Sequence, residues 1–306
     1  MRVGFFNNQL DNRGTGNAVF EYAYYNEKLL GNKSFIYTYK KANHNVGAYL
    51  KFSKYFPIIF DPFPDTKAVD VMYHIKSGED DGVRFPNTRY VVHAVFNAQQ
   101  RHGDRYAAIS EWLGDRDKVP WVPHIVDLPY YSTTFREYLK IPEEATVFGR
   151  YGGSDTFDIS WVWEAIKFIV TKRKDVFFIF MNTDKPEDMN HPQVKFLPEV
   201  IDVSQKRQFI NTCDAMLHAR SRGETFGLAV GEFAFCGKPV FTYANSYEKS
   251  HLNELSRLGY DKYFYRTYAE LCEMLSEFKC GEKAFAYTQY YPEQVMERFK
   301  KVFLDD

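Results

Sequence analysis

Short apolar runs alternate with segments of helical periodicity along the whole chain, and this alternation restricts the folds that are open to it. In the first half, strand-like runs lie at 3–6, 34–39, 69–74, 90–95 and 107–110. Between the first two, Asn17 can cap a helix that runs to Leu30 and stops at Gly31. Alternating strands and helices are typical of α/β layers built on parallel sheets.

The second half repeats this alternation. Strands are predicted at 146–149, 176–181, 215–219 and 239–243, and helices at 159–170, 204–212, 268–278 and 292–303. A chain of 306 residues exceeds a typical single domain, so we expect two domains. The sequence therefore predicts two α/β units in succession.

The segment from Arg222 to Val240 is the most informative part of the second half. Glu224 precedes a predicted helix that begins near Phe226, and Glu232 lies eight positions later, within that helix. The first N–H groups of a helix lack intrahelical partners and carry partial positive charge, which suits a diphosphate. Eight helical residues rise about 12 Å at most, so two carboxylates at this spacing can bind opposite ends of an extended ligand.

This segment resembles the E-x7-E signature of retaining GT-B glycosyltransferases of the family-4-like group. The resemblance is specific over 219–240, moderate at 119–127 and 146–158, and loose elsewhere. It implies the GT-B fold, with two Rossmann-like parallel-sheet domains that face a cleft. The expected limits are 1–130 for an acceptor-side domain and 140–285 for a nucleotide-sugar domain, with a linker near 128–143. Residues 286–306 would form a terminal helix that crosses back to the first domain.

The function that this resemblance implies is transfer of a hexose or similar sugar with retention of configuration. The donor would be a UDP- or GDP-sugar, and the acceptor a hydroxyl of a glycan, a lipid or a small molecule. No metal and no cofactor are expected. The donor's base and sugar, and the acceptor, stay open.

Site residues follow from the same resemblance. Glu224 and His93 would contact the transferred sugar, Glu232 the ribose, and Arg150 the departing diphosphate, whose developing charge a guanidinium can stabilise. The proposed catalytic residues are Glu224, His93 and Arg150. The proposed donor-binding residues are Glu232, Arg150, Thr225, Phe226, Gly227, Leu228, Arg220, Arg222 and Gly16.

One position departs from the family pattern. The family lysine expected five residues after Arg150 is Asp155 here, and a carboxylate would repel a diphosphate. Either the register differs across Gly152 and Gly153, or another cation such as Arg220 or Arg222 substitutes, or catalysis is lost. The alternative function is therefore a nucleotide-sugar-binding pseudoenzyme without turnover.

Two further kinds of site are disfavoured. Gly14 and Gly16 follow the first strand, but the third glycine of a dinucleotide-binding fingerprint is replaced by Val19, which argues against a nucleotide-dependent oxidoreductase. The acidic run 79–81 is more typical of a solvated turn than of a metal site.

Net charge, cysteine spacing and the length of apolar runs limit the partners and the compartment that we expect. A net charge of −1 with scattered lysines and arginines leaves no footprint for nucleic-acid binding. The four cysteines lack metal-site spacing and indicate reduced thiols. No apolar run is long enough for a membrane span or a signal peptide, so we expect a cytoplasmic protein, with peripheral membrane contact left open.

Overall fold

A computed structural model describes residues 1–63, 68–200, 202–279, 281 and 289–305. The chain divides into two compact units. Unit 1 comprises Met1–Val126 together with Gln289–Asp306, and unit 2 comprises Asp127–Thr288. The domain limit expected between residues 285 and 286 lies outside the described residues.

Unit 1 begins with a regular alternation of strands and helices. Its elements are β1 (Arg2–Phe6), α1 (Gly14–Lys28), β2 (Lys33–Thr38), α2 (Val46–Tyr55), β3 (Ile58–Phe60), β4 (Val71–Lys76), β5 (Arg89–Ala94), β6 (Arg105–Ala108) and α3 (Glu111–Asp117). The strands form one parallel sheet in the order β3-β2-β1-β4-β5-β6. All six residues of β4 are buried, because a parallel sheet is covered on both faces.

Unit 2 repeats this plan. Its elements are α4 (Arg136–Leu139), β7 (Thr146–Tyr151), α5 (Ser160–Lys172), β8 (Val176–Met181), β9 (Val194–Leu197), α6 (Val203–Thr212), β10 (Ala215–His218), β11 (Gly223–Glu224), α7 (Leu228–Phe235), β12 (Val240–Tyr243), β13 (Glu248–Lys249), α8 (Ser250–Arg257), β14 (Phe264–Tyr265) and α9 (Tyr268–Glu277). Six strands form a parallel sheet in the order β14-β12-β10-β7-β8-β9, and β11 pairs with β13 in a separate two-stranded sheet.

The two large sheets have the same topology. In each, the first strand of the unit lies in the middle, the next two extend to one side, and the last three extend to the other. This is the strand order of Rossmann-like folds. The point at which the order reverses lies between β1 and β4 in unit 1 and between β7 and β10 in unit 2.

The final helix α10 (Pro292–Phe299) continues as a π-helical turn through Lys300–Leu304. Its apolar stripe packs within unit 1, where the ring of Phe299 stacks on that of Tyr22 at 5.1 Å. Val295 and Met296 are also buried there, so the stripe visible in the sequence is a core face.

The structure corrects the sequence-based prediction at the start of α1. The helix begins at Gly14, so Asn17 lies inside it and is not its cap. Gly14 and Gly16 therefore occupy the first turn of α1, ahead of the start expected at Asn17. Helices α2, α3, α4 and α8 and strands β3, β9, β11, β13 and β14 were not predicted, because each is short or has few buried apolar residues.

Candidate functional site

The carboxyl ends of β7 and β10 flank the point in unit 2 at which the strand order reverses. Open α/β sheets bind ligands outside the carboxyl ends of their strands at such a point. Arg150 and Tyr151 end β7, and His218 ends β10. The segment that carries Glu224 and Glu232 follows β10 directly, so the predicted donor-binding residues of unit 2 start at this edge.

Local backbone structure holds Glu224 in place. Gly223 pairs with Glu248 and Glu224 with Lys249, and the N–H of Glu248 donates to the carbonyl of Arg222 at 2.7 Å. Gly223 has a φ of 75°, and a Cβ atom there would lie 2.1 Å from the carbonyl oxygen of Glu248. Only glycine fits this turn.

The carboxylate of Glu224 has two cationic or polar donors. Arg220 Nη1 donates to Oε2 at 2.7 Å, and His218 Nε2 lies 3.2 Å from Oε1. Burial raises the pKa of this carboxyl, but the hydrogen bond from His218 and the charge of Arg220 outweigh it and hold the pKa below its ordinary value. Glu224 is therefore ionised at neutral pH, and its side chain remains one-fifth exposed.

Helix α7 starts at Leu228, four residues after Glu224. Gly227 precedes it with a φ of 90°, and a Cβ atom there would lie 3.1 Å from the side chain of Glu224. The N–H groups of the first turn, from Leu228 onward, have no intrahelical acceptor. Of the predicted donor-binding residues, Thr225 and Phe226 are buried, whereas Gly227 and Leu228 are partly exposed.

Glu232 lies in the second turn of α7 and is almost fully buried. Lys206 of α6 donates to its Oε1 at 2.6 Å, and the hydroxyl of Tyr151 donates to its Oε2. Burial, together with the neighbouring carboxylate, raises the pKa of Tyr151 well above its ordinary value, so the phenol keeps its proton and remains a donor. Within the described part of the chain, each carboxylate oxygen thus has one donor, and it has one lone pair that can still accept from a ligand hydroxyl.

Arg150 is buried, and its Nη atoms are occupied by the protein. Nη1 donates to the carbonyl of Asn182 and to Thr183, and Nη2 donates to the carbonyl of Gly153 and to Thr156. Burial lowers its pKa to about 10, so it is charged at neutral pH. Arg150 thereby ties together the loops that follow β7 and β8, and its binding to a diphosphate stays a prediction.

The remaining cations and Asp155 have distinct places. Asp155 is exposed in the turn after β7, where Thr156 N–H donates to the carbonyl of Gly153. Arg220 lies against Glu224, whereas Arg222 is more than half exposed and lies 3.9 Å from Glu248. Of the two substitutes considered for the family lysine, Arg220 is therefore the one in contact with a glutamate of the motif.

Two predicted residues belong to unit 1. His93 is fully buried, its Nε2 lies 2.8 Å from the carbonyl of Val122, and its Nδ1 lies 2.7 Å from the hydroxyl of Tyr73. A carbonyl only accepts, so Nε2 carries the proton and Nδ1 accepts from Tyr73. Both ring nitrogens are thus hydrogen-bonded within unit 1, and a contact between His93 and a sugar stays a prediction.

Gly16 is explained by packing, because a Cβ atom there would lie 2.3 Å from the carbonyl oxygen of Asp11. In the acidic run 79–81, Asp80 accepts from both Nη atoms of Arg84, at 2.8 and 2.7 Å, and Asp81 accepts from Lys76. Among the described residues, no group of three or more His, Cys, Asp or Glu is arranged to hold a metal.

Cys213, Cys236 and Cys272 are free thiols, and Cys280 lies outside the described residues. In the part of the chain that the structure describes, no helix is long and apolar enough to cross a membrane.

Four residues that contact the two glutamates or their partners were not predicted from the sequence: Lys206, Tyr151, His218 and Thr242. Three of them end apolar strands of the same parallel sheet or lie one residue from the end, a signal that could have identified them. Lys206 lies on α6, and nothing in its local sequence marks its contact with a glutamate 26 residues away.

No protein-family model matches the chain, and no curated protein matches it in sequence. Solved structures do. Anabaena HepE in complex with UDP and glucose is 15% identical to this chain, with a TM-score of 0.67. The superposition covers 99% of this chain and 95% of the HepE chain. AviGT4, a glycosyltransferase involved in avilamycin A biosynthesis, is 14% identical with a TM-score of 0.57, covering 98% and 96%.

A candidate UDP-N-acetylglucosamine 2-epimerase of Listeria monocytogenes is 10% identical with a TM-score of 0.61, covering 98% of this chain and 94% of its own. At these identities the likeness concerns the fold. Together with the two six-stranded parallel sheets, it shows that the chain has the two-domain α/β architecture of the GT-B fold.

Proposed function

We propose that this protein is a retaining glycosyltransferase that uses a UDP- or GDP-sugar as donor and a hydroxyl group as acceptor. The observation that carries the proposal is the placement of Glu224 and Glu232 on either side of the start of α7, at the carboxyl edge of the unit 2 sheet. A helix N-terminus and flanking carboxylates suit a ligand with an anionic centre and hydroxyl-bearing ends. HepE, which has the same fold, was solved with UDP and glucose and with UDP-glucose.

The chemistry assigns a role to each group. Glu232 accepts hydrogen bonds from the ribose hydroxyls, and Glu224 accepts them from hydroxyls of the sugar. The N–H groups from Leu228 onward and the guanidinium of Arg220 stabilise the diphosphate as its bond to the sugar breaks. The acceptor oxygen bonds to the same carbon from the same face, and its proton passes to the departing phosphate. No protein nucleophile and no metal are required.

Arg220 takes the place of the family lysine in this proposal. It lies in the loop before α7 and contacts Glu224, so its positive charge is adjacent to the helix N-terminus. Arg150 contributes indirectly, because the loops that it ties together border the same edge.

Calorimetric titration with UDP, GDP, UDP-glucose and GDP-mannose tests the proposal. We expect one nucleotide and its sugar to bind, and Glu232→Gln to weaken binding about tenfold or more, since losing one charge-assisted hydrogen bond costs about 1.5 kcal/mol or more. Glu164→Gln, at an exposed glutamate of α5, is the matched control and should leave affinity unchanged. Unaltered affinity in Glu232→Gln would refute the proposed site.

Turnover separates the alternatives. A working transferase should hydrolyse its donor slowly without acceptor, whereas a pseudoenzyme should bind the donor and release no sugar. Because the fold is shared with a candidate epimerase, the products must also be examined for inversion at C2 of UDP-N-acetylglucosamine. Such inversion without sugar transfer would replace the proposed activity with an epimerase.

A further inference from the structure

A buried chain of hydrogen bonds leads from Glu224 into the interior of unit 2. Glu224 Oε1 lies 3.2 Å from His218 Nε2, and His218 Nδ1 lies 2.9 Å from the hydroxyl of Thr242. The same hydroxyl lies 3.1 Å from Nε2 of His251, in the first turn of α8. His218, Thr242 and His251 are each at least 95% buried. Three separate elements, β10, β12 and α8, therefore converge behind one carboxylate.

The donors and acceptors in this series of hydrogen bonds restrict which ring nitrogens carry protons. An ionised carboxylate only accepts, so His218 must present an N–H at Nε2 to Glu224. Thr242 has one hydroxyl proton. It gives this proton to Nδ1 of His218 when that ring is protonated only at Nε2, or to Nε2 of His251 when His218 carries protons on both nitrogens, and in both cases its oxygen accepts from the other ring. Burial and the neighbouring His218 lower the pKa of His251 to about 3, so this ring is neutral and can be either the donor or the acceptor. Every arrangement preserves the N–H that faces Glu224.

Two further side chains hold His218 and the Glu224 carboxylate in place. The hydroxyl of Tyr265 donates to the carbonyl of His218 at 2.7 Å, which holds the end of β10. On the other side of the carboxylate, Arg220 occupies Oε2. Both oxygens of Glu224 are thus held by donors from the protein, and one lone pair on each remains for a ligand.

We propose that His218 and Thr242 are positioning residues, which hold the Glu224 carboxylate in the one orientation that accepts the hydroxyls of the transferred sugar. This inference rests on the proposed function. His218 acts on Glu224 directly, and Thr242 acts through His218. Neither contacts the nucleotide half of the donor in this assignment, so their loss should affect recognition of the sugar and not of the nucleotide.

Thr242→Val removes the hydroxyl and keeps the shape of the side chain, and Thr242→Ser restores the hydroxyl. In calorimetry with UDP and UDP-glucose, or with GDP and GDP-mannose if the wild type prefers them, we expect Thr242→Val to bind the nucleoside diphosphate within about twofold of the wild type. Any additional affinity that the sugar provides should be lost, and donor hydrolysis should fall at least tenfold in kcat. Thr242→Ser should recover both.

His218→Gln, whose amide can replace the Nε2 donor, should retain more activity than His218→Leu. Thr146→Val, at a buried threonine where β7 begins on the opposite edge of the sheet, is the control for a lost strand hydroxyl. Circular dichroism confirms that each variant is folded. If the folded Thr242→Val keeps the wild-type preference for sugar and the wild-type kcat, the inference is wrong while the proposed function stands. If the wild type binds none of the four ligands, the proposed function fails and the inference fails with it.

Discussion

Lys206 and Glu232 form an ion pair whose disruption should weaken unit 2 measurably. The side chain of Glu232 is 5% exposed and that of Lys206 is 17% exposed, with 2.6 Å between Nζ and Oε1. In Lys206→Met the carboxylate keeps, among the residues that the structure describes, the hydroxyl of Tyr151 as its one hydrogen-bond donor, and it remains out of water. Removing one partner of a buried pair costs about 3 to 5 kcal/mol, and because water reaches part of Lys206 we expect about 3 kcal/mol.

For a unit of this size, a loss of about 3 kcal/mol lowers Tm by roughly 6 to 12 °C. Urea unfolding followed by hydrogen exchange and mass spectrometry measures the change in peptides of unit 2 separately from those of unit 1. Because charge imbalance causes the loss, the double variant Lys206→Met, Glu232→Gln should return to within about 1 kcal/mol of the wild type.

Lys167→Met is the matched control. Lys167 pairs with Glu164 and Asp188 on the surface, where solvent screens the charges, so its removal should leave the unfolding midpoint unchanged. If Lys206→Met is no more destabilising than Lys167→Met, or if the double variant is as unstable as the single one, the reasoning from a buried, uncompensated carboxylate is refuted.

Two other predictions concern pH and a buried guanidinium. Burial holds the pKa of His74 and His124 at about 3 and that of His93 at about 4, against 6.5 in the unfolded chain. The unfolded state therefore binds more protons as the pH falls through 6.5. The free energy of unfolding of unit 1 should decrease by about 1.4 kcal/mol per histidine, about 4 kcal/mol in total, between pH 7.5 and pH 5.5. Urea unfolding at each pH measures this decrease. A flat profile over that range would contradict the buried, neutral state of these rings. In Arg150→Lys, a single ammonium group cannot reach all the acceptors that the two Nη atoms contact. The substitution should therefore lower the free energy of unfolding by about 2 kcal/mol and accelerate hydrogen exchange in residues 152–156. Unchanged exchange there would argue against a structural role for Arg150.

Much of the fold could be predicted from residue patterns. Strands such as Val176–Met181 are continuous apolar runs, because both faces of a parallel sheet are covered. Such runs can be recognised in the sequence without knowing the partner strand. The stripe of α5, from Val162 to Val170, is equally clear. Helix α2 escaped prediction because only Ala48 and Phe52 are buried in it, too few to define a period.

The candidate site was predicted in part for a similar reason. Glu224, Gly227 and Glu232 lie within one contiguous segment whose spacing and small residues are visible in the sequence. Arg150 and His93 were selected by resemblance as well, but their roles depend on which acceptors surround them. Those acceptors, among them Asn182 and Val122, are distant in sequence.

By itself, the sequence determined the α/β class, the two successive units and the segment that carries the two glutamates, because each depends on residues close together in the chain. Only the tertiary structure decided what surrounds those glutamates. Lys206 reaches Glu232, and His218, Thr242 and His251 align behind Glu224, because the order of strands in the sheet brings distant segments to one edge. Strand order is set by packing between elements, and no local pattern records it.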